Sequence, residues 1–263
     1  MLHGNPTWSF FYRRLIERLR PHVRCIVPDH LGMGLSDTPA PQQATELLTL
    51  PQRIGHLREL LAHCGVQHYS LVAHDWGGPI GLGLALGVGH SAVARRPLPV
   101  QRCVLMNTAA FTSGRPPLSI ALCRLPVLGQ WLVQQANAFV RGSLRWASRQ
   151  RLSAQVATGY QAPYTQARYR LGIHRFVQDI PLGAAHPSWE TLAAIEQRLP
   201  ALNTLPTLLC WGMQDFCFTP QFLDEFRKRI PYAAVHRSAQ AGHYLLEDDP
   251  ALVDSLLPQF LLA

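Results

Sequence analysis

The chain has 263 residues, 48% of them apolar and 15% charged. That length holds a full hydrophobic core, and that composition excludes a disordered chain and a coiled coil, both of which carry more charge and less apolar surface. The formal charge is +8, but the Arg residues are scattered rather than run together, which argues against a nucleic-acid-binding tract.

Short apolar runs alternate with longer helical patterns, as in an α/β fold with a mostly parallel sheet. The chain opens on His3-Gly4-Asn5-Pro6-Thr7-Trp8, read as a loop. A helix is expected over 10–19, with Arg13, Arg14, Arg18 and Arg20 on its polar face, and a strand over 24–28. Asp29 to Asp37 contains a G-x-G, but Asp37 stands where a dinucleotide fingerprint needs its third Gly, and Pro39 and Pro41 follow. No nucleotide site is read there.

A helix over 51–64 leads to a strand over 69–74, then to a Gly-rich helix over 78–87. An interior Gly costs a helix about 1 kcal/mol relative to Ala, so the repeated Gly residues imply close packing against the sheet. Between Gly87 and Val100 the chain carries Arg95, Arg96, Pro97 and Pro99, read as a surface loop. A strand follows over 102–107. From 111 to 205 the alternation stops and helical patterns with many aromatics take over, which predicts a helical cap inserted into a core formed by 1–110 and 206–263. Strands over 207–211 and 233–237 and helices over 220–229 and 250–261 complete the pattern.

The chemistry concentrates at strand ends. Ser70-Leu71-Val72-Ala73-His74-Asp75-Trp76-Gly77-Gly78 runs a strand into a sharp turn and a helix. This is the nucleophile-elbow pattern with Asp in the Ser position. A carboxylate is ionised at neutral pH and attacks carbon without a base. Alone, Asp75 also reads as a helix cap. His243, in Ala241-Gly242-His243-Tyr244, stands where the base belongs in the order nucleophile, acid, base. Asp215, in Trp211-Gly212-Met213-Gln214-Asp215, is placed to fix the His243 tautomer. The rival position after the preceding strand offers Asn107, Thr108 and Ala109 and no carboxylate. Asn5 and Trp76 offer backbone and side-chain N–H groups to a developing anion.

The six Cys form no C-x-x-C pair, and Cys25, Cys103 and Cys210 sit in apolar runs. This predicts free thiols, a cytoplasmic protein and no zinc site.

Taken together, HGNPTWSF, PDHLGMGLSD, AHDWGGPIG, WGMQDF and AGHYLLED resemble the α/β-hydrolase superfamily, in the branch of haloalkane dehalogenases and epoxide hydrolases. The segments around Met106-Asn107-Thr108-Ala109-Ala110-Phe111, Ala162-Pro163-Tyr164 and Arg175-Phe176-Val177-Gln178-Asp179 are similar to the β-lactone decarboxylases of bacterial olefin synthesis, which convert cis-3,4-dialkyl oxetan-2-ones to cis-alkenes and carbon dioxide. The resemblance implies Asp75 as nucleophile, His243 and Asp215 completing a triad, and Asn5 and Trp76 stabilising the anion. It implies no cofactor or metal, a small, apolar, long-chain substrate, no nucleic acid, and assembly with other olefin-pathway enzymes; membrane association stays open. Haloalkane dehalogenase is the alternative activity, followed by epoxide hydrolase and a non-catalytic binding protein. The family carries a longer segment before its His-Gly than the two residues here, so the further expectation is a chain read from an internal Met, lacking N-terminal strands and consequently unstable.

Overall fold

The computed structural model describes residues 1–89, 98–112 and 116–263. Its sheet has four parallel strands in sequence order, β1 (Tyr69–His74), β2 (Val100–Met106), β3 (Thr207–Gly212) and β4 (Ala234–Ser238). His74 pairs with Met106, Met106 with Cys210, and Cys210 with His236, so the carboxyl ends of all four strands are in register.

Alternation along the strands explains why both sheet faces are buried. Leu71, Ala73, Cys103, Leu105, Leu209 and Trp211 point into one core layer. Val72, Val104, Met106, Leu208 and Cys210 point into the other. The helices Leu50–His63, Gly77–Ala85 and Pro220–Arg229 contribute buried residues to the first layer. The helix Arg13–Leu19 and the C-terminal segment contribute to the second. A Cβ on Gly81 would lie 2.7 Å from a Leu71 methyl, and one on Gly83 would lie 2.3 Å from Ile54. The Gly-rich helix therefore lies tight against both β1 and the helix beside it.

One expectation is corrected. Residues 24–28 form no strand. A strand needs a ladder of backbone bonds, and among the described residues one main-chain bond reaches this segment, from the Met1 amino group to the Ile26 carbonyl at 2.8 Å. Beside β1, the single residue Leu2 makes a parallel bridge to Ala73, through Leu2 N–H to the Val72 carbonyl and His74 N–H to the Leu2 carbonyl. The helix expected over 250–261 is present and contains a π-helical turn, Leu252–Leu256, continued by Leu257–Leu262. Arg13 makes a bidentate pair with Glu247, and Arg14 and Arg18 reach Asp254, so that basic face is partly neutralised by the chain's last elements.

Between β2 and β3 the described residues form helices and turns with no strand, including Leu118–Cys123, Ala138–Trp146, Ala154–Gln161, Leu171–Gln178 and Trp189–Arg198. The surface loop expected between Gly87 and Val100 falls largely on residues 90–97, outside the described residues. No helix among the described residues is long and apolar enough to cross a membrane.

Candidate active site

Every strand hands a site residue to the same end of the sheet, where ligands of open α/β folds collect. Asp75 follows β1 directly and adopts φ 52°. A left-handed non-glycine residue costs on the order of 1–3 kcal/mol and persists only where its surroundings hold it. Here the Asp75 carbonyl accepts from Gly78 N–H at 3.0 Å and from the Thr108 hydroxyl at 2.5 Å, while its own N–H donates to the Asn107 carbonyl.

The Asp75 carboxylate is buried. Its Oδ1 accepts from the Asn5 backbone N–H at 2.6 Å, and the Trp76 backbone N–H is a second donor. Its Oδ2 lies 3.8 Å from His243 Nε2. Burial pushes the Asp75 carboxyl up to about 6, against the opposing pull of His243 and the two backbone donors. A Cβ on Gly4 would fall 2.0 Å from Asp75 Oδ1, so only glycine lets the Asn5 N–H approach.

His243 Nδ1 meets Asp215 Oδ2 at 2.9 Å. That contact places the proton on Nδ1 and leaves Nε2 facing Asp75. Burial lowers the His243 pKa, but Asp215 and then Asp75 outweigh it, and the net direction is upward. Both Asp215 oxygens are engaged: Oδ1 accepts from Cys217 N–H at 2.7 Å, and Oδ2 also accepts from Asn107 Nδ2 at 2.8 Å.

The structure thus brings Asp75, His243, Asp215, Asn5 and Trp76 to one place. It changes one detail for Asn5, whose backbone N–H is engaged by Asp75 and whose side-chain Nδ2 donates to the Ile173 carbonyl at 3.2 Å. An amide carries two N–H donors, so one remains for a ligand.

Three supporting residues escaped the sequence reading. Asn107 clamps Asp215. His74, pressed between the rings of Phe11 and His243, meets the His243 carbonyl through Nε2 at 2.9 Å; burial holds its pKa well below the usual range. Asp248 accepts from the Ser148 hydroxyl and from the N–H groups of Arg149, Gln150 and Gly242, tying the inserted helices to the residue before His243. The first two signals are mute because Asn and His in apolar context read as ordinary core polar residues. The third lay in the Glu-Asp-Asp run after His243, where the sequence does not say which carboxylate turns inward.

Asn5, Asp75, Trp76 and His243 line a cavity of 710 Å³. Its apolar wall includes Ile120, Phe139, Val177 and Leu192 from the inserted helices, with Phe218 and Phe222 from beyond β3. Among the described residues, no group of three or more His, Cys, Asp or Glu is arranged to hold a metal ion.

Comparison with known proteins agrees with this architecture. A cis-3-alkyl-4-alkyloxetan-2-one decarboxylase from Shewanella oneidensis is 42% identical over 94% of this chain and 76% of its own length. A protein of the same name from Xanthomonas campestris pv. campestris is 41% identical over 99% and 87%. Haloalkane dehalogenase 2 of Mycobacterium bovis is 32% identical over 95% and 82%. The crystal structure of a haloalkane dehalogenase from Bradyrhizobium elkani superposes with a TM-score of 0.84 at 26% identity, over 99% of this chain and 88% of that one. The alpha/beta hydrolase fold family matches residues 1–250, and with its strand-end elbow and inserted helices the chain belongs to that family.

Proposed function

We propose that this enzyme decarboxylates cis-3,4-dialkyl β-lactones to cis-alkenes and carbon dioxide, with Asp75 as nucleophile. The carrying observation is a buried carboxylate, held on one oxygen by the Asn5 N–H, that opens on an apolar cavity of 710 Å³. The 42% and 41% identities to decarboxylases of that substrate class support the substrate.

Asp75 Oδ2 attacks C4 of the lactone from the face opposite the ring oxygen. The C4–O bond breaks, its electron pair becomes a free carboxylate, and C4 inverts. The C3–carboxylate bond then cleaves, its pair forms the double bond, carbon dioxide leaves, and Asp75 departs from C4 with its own pair. Inversion followed by anti elimination converts a cis-lactone to a cis-alkene, and the sequence consumes neither water nor a proton. The remaining Asn5 amide N–H and the Trp76 indole stabilise the emerging carboxylate, where a preorganised donor contributes most. His243, its pKa raised by Asp215, stabilises Asp75 as it leaves.

The inserted helices, 111–205, act as the lid that selects alkyl chains, over a core of 1–110 and 206–263. The six free Cys accord with the reducing cytoplasm. Assembly with other olefin-pathway enzymes belongs to the same reading and is checked by co-purification.

The second reading is haloalkane dehalogenation, favoured by the His243–Asp215 pair beside Asp75. It would use the same attack, and His243 would then activate water against the ester. One preparation assayed on a cis-dialkyl β-lactone and on a 1-haloalkane separates the two. Alkene with carbon dioxide supports the decarboxylase; halide with alcohol, and no alkene, overturns it.

A further inference from the structure

The charge of this chain is distributed very unevenly. Residues 111–189 contain nine Arg and a single carboxylate, Asp179, while the remainder of the chain carries as many acidic as basic residues. Asp179 is buried, bonded to Leu50 N–H and the Ser188 hydroxyl. The described surface of this segment therefore presents Arg with no carboxylate of its own to neutralise it. Arg141, Arg145, Arg149 and Arg151 are exposed, and none pairs with a carboxylate among the described residues.

The same segment holds eight of the thirteen large apolar side chains exposed among the described residues. Leu118 is 76% exposed, Val127 83%, Trp131 56% and Trp146 64%, with Leu122, Leu125 and Leu128 between them. These belong to neighbouring elements, since the turn Trp131–Gln135 packs against both Leu128–Gln130 and Ala138–Trp146. Leu122, Trp146, Arg149 and Phe216 are exposed and also line the cavity, so the opening of the cavity lies inside this apolar and basic surface.

We propose that this face of the inserted helices docks on an anionic lipid bilayer. Leu118, Val127, Leu128 and Trp131 enter the interface, Arg141, Arg145, Arg149 and Arg151 contact the headgroups, and the cavity mouth opens toward the lipid. Exposed Leu and Trp beside Arg is the chemistry of an interfacial anchor. Charge decides the occupant: a neutral bilayer offers nothing to four unpaired Arg, whereas an anionic surface attracts each of them within a Debye length. A protein partner with an acidic face is the competing occupant. Lipid is favoured because Leu122 and Trp146 of this apolar set also line the cavity, so an alkyl solute leaving a bilayer meets apolar side chains at the cavity mouth. The preference for lipid over protein rests on the alkyl substrate assigned above, whereas vesicle binding by the exposed Arg, Leu and Trp is read without substrate.

The test is flotation of the full chain with vesicles of phosphatidylcholine alone or with one-third phosphatidylglycerol. Binding to the anionic vesicles, weakening with added salt, is the expected result. Arg141→Gln and Arg145→Gln should each lower partitioning about fivefold. Val127→Ser with Trp131→Ser should lower it further, and a Trp131→Phe variant should lose part of the vesicle-induced fluorescence blue shift. None of these four residues lines the cavity, so melting temperature and turnover on detergent-dispersed substrate should stay at the parent level. That result shows that a loss of flotation is not misfolding. Equal partitioning to both vesicle types overturns the proposal, as does no flotation of a cooperatively folded chain, or full flotation of the Val127/Trp131 variant.

Discussion

Asn107 donates its side-chain amide to Asp215 Oδ2 at 2.8 Å, on the same oxygen that receives His243 Nδ1. Asn107 is itself locked, its Oδ1 accepting from Gly212 N–H and its Nδ2 also reaching the Gly212 carbonyl. The turn after β2 thus holds the acid that stands after β3, through a neutral donor at φ 33°. A hydrogen bond to a charged group contributes about 1.5–3 kcal/mol. Asn107→Ala should therefore lower kcat about 10- to 100-fold with little change in KM, whereas Asn107→Asp, which sets two carboxylates against one another, should be worse. Steady-state kinetics on both variants, with melting curves to confirm folding, check this.

Asp75 needs its charge to attack, and burial pushes its pKa up to about 6. Turnover should hold above that pH and fall as Asp75 protonates below it. A kcat/KM profile that stays flat well below pH 6 would separate Asp75 from the rate-determining attack.

The same shift has a consequence for stability. The folded pKa of Asp75 lies above the ordinary 3.8, so the native state binds more protons than the unfolded chain between these values. Stability contributed by this group falls as pH rises through that window and stays low at neutral pH. Asp75→Asn removes the buried charge while keeping an oxygen for the Asn5 N–H. It should be inactive yet more stable at pH 7, by up to about 3 kcal/mol. Denaturant unfolding of the variant and parent at pH 7 and pH 4 measures both the gain and its disappearance at low pH.

His243→Gln distinguishes the two chemistries through the fate of the ester. Water must be activated to release a haloalkane-derived ester, so intact mass spectrometry should show a stable adduct on that variant after exposure to a 1-haloalkane. The lactone-derived ester collapses without water, so the same variant should keep releasing alkene, more slowly, and accumulate little adduct. Adduct from neither substrate, together with wild-type turnover in Asp75→Ala, would remove Asp75 as nucleophile.

Gly4→Ala places a methyl 2.0 Å from Asp75 Oδ1. The Asn5 N–H cannot then reach the carboxylate, and turnover should drop on the order of 100-fold or more. Thr7→Val, which removes the hydroxyl bonded to Gly4 N–H, should be milder in the same assay.

The strands that carry Asp75, Asp215 and His243 were legible because a buried parallel strand must be a short apolar run, and because a sharp turn admits few residues around Asp75. Order along the chain also supplied the roles expected of these three residues, since the elbow and the late His loop are local patterns. Residues 24–28 show the limit of such reading. They are apolar enough for a strand, but ladder bonds come from a neighbour, and among the described residues Met1 makes the one main-chain bond to them. The support around the triad was equally hidden. Asn107 reaches Asp215 across 108 residues, His74 reaches His243 across 169, and Asp248 gathers Ser148, Arg149 and Gln150 from the inserted helices. The sequence alone determined which chemistry-bearing residues stand at strand ends, because backbone periodicity and turn sterics act over a few residues. Which polar partners hold them, how far Asp75 is desolvated, and that the excess positive charge meets exposed Leu and Trp at the cavity mouth were decided by tertiary packing, because hydrogen bonding and burial depend on distance in space.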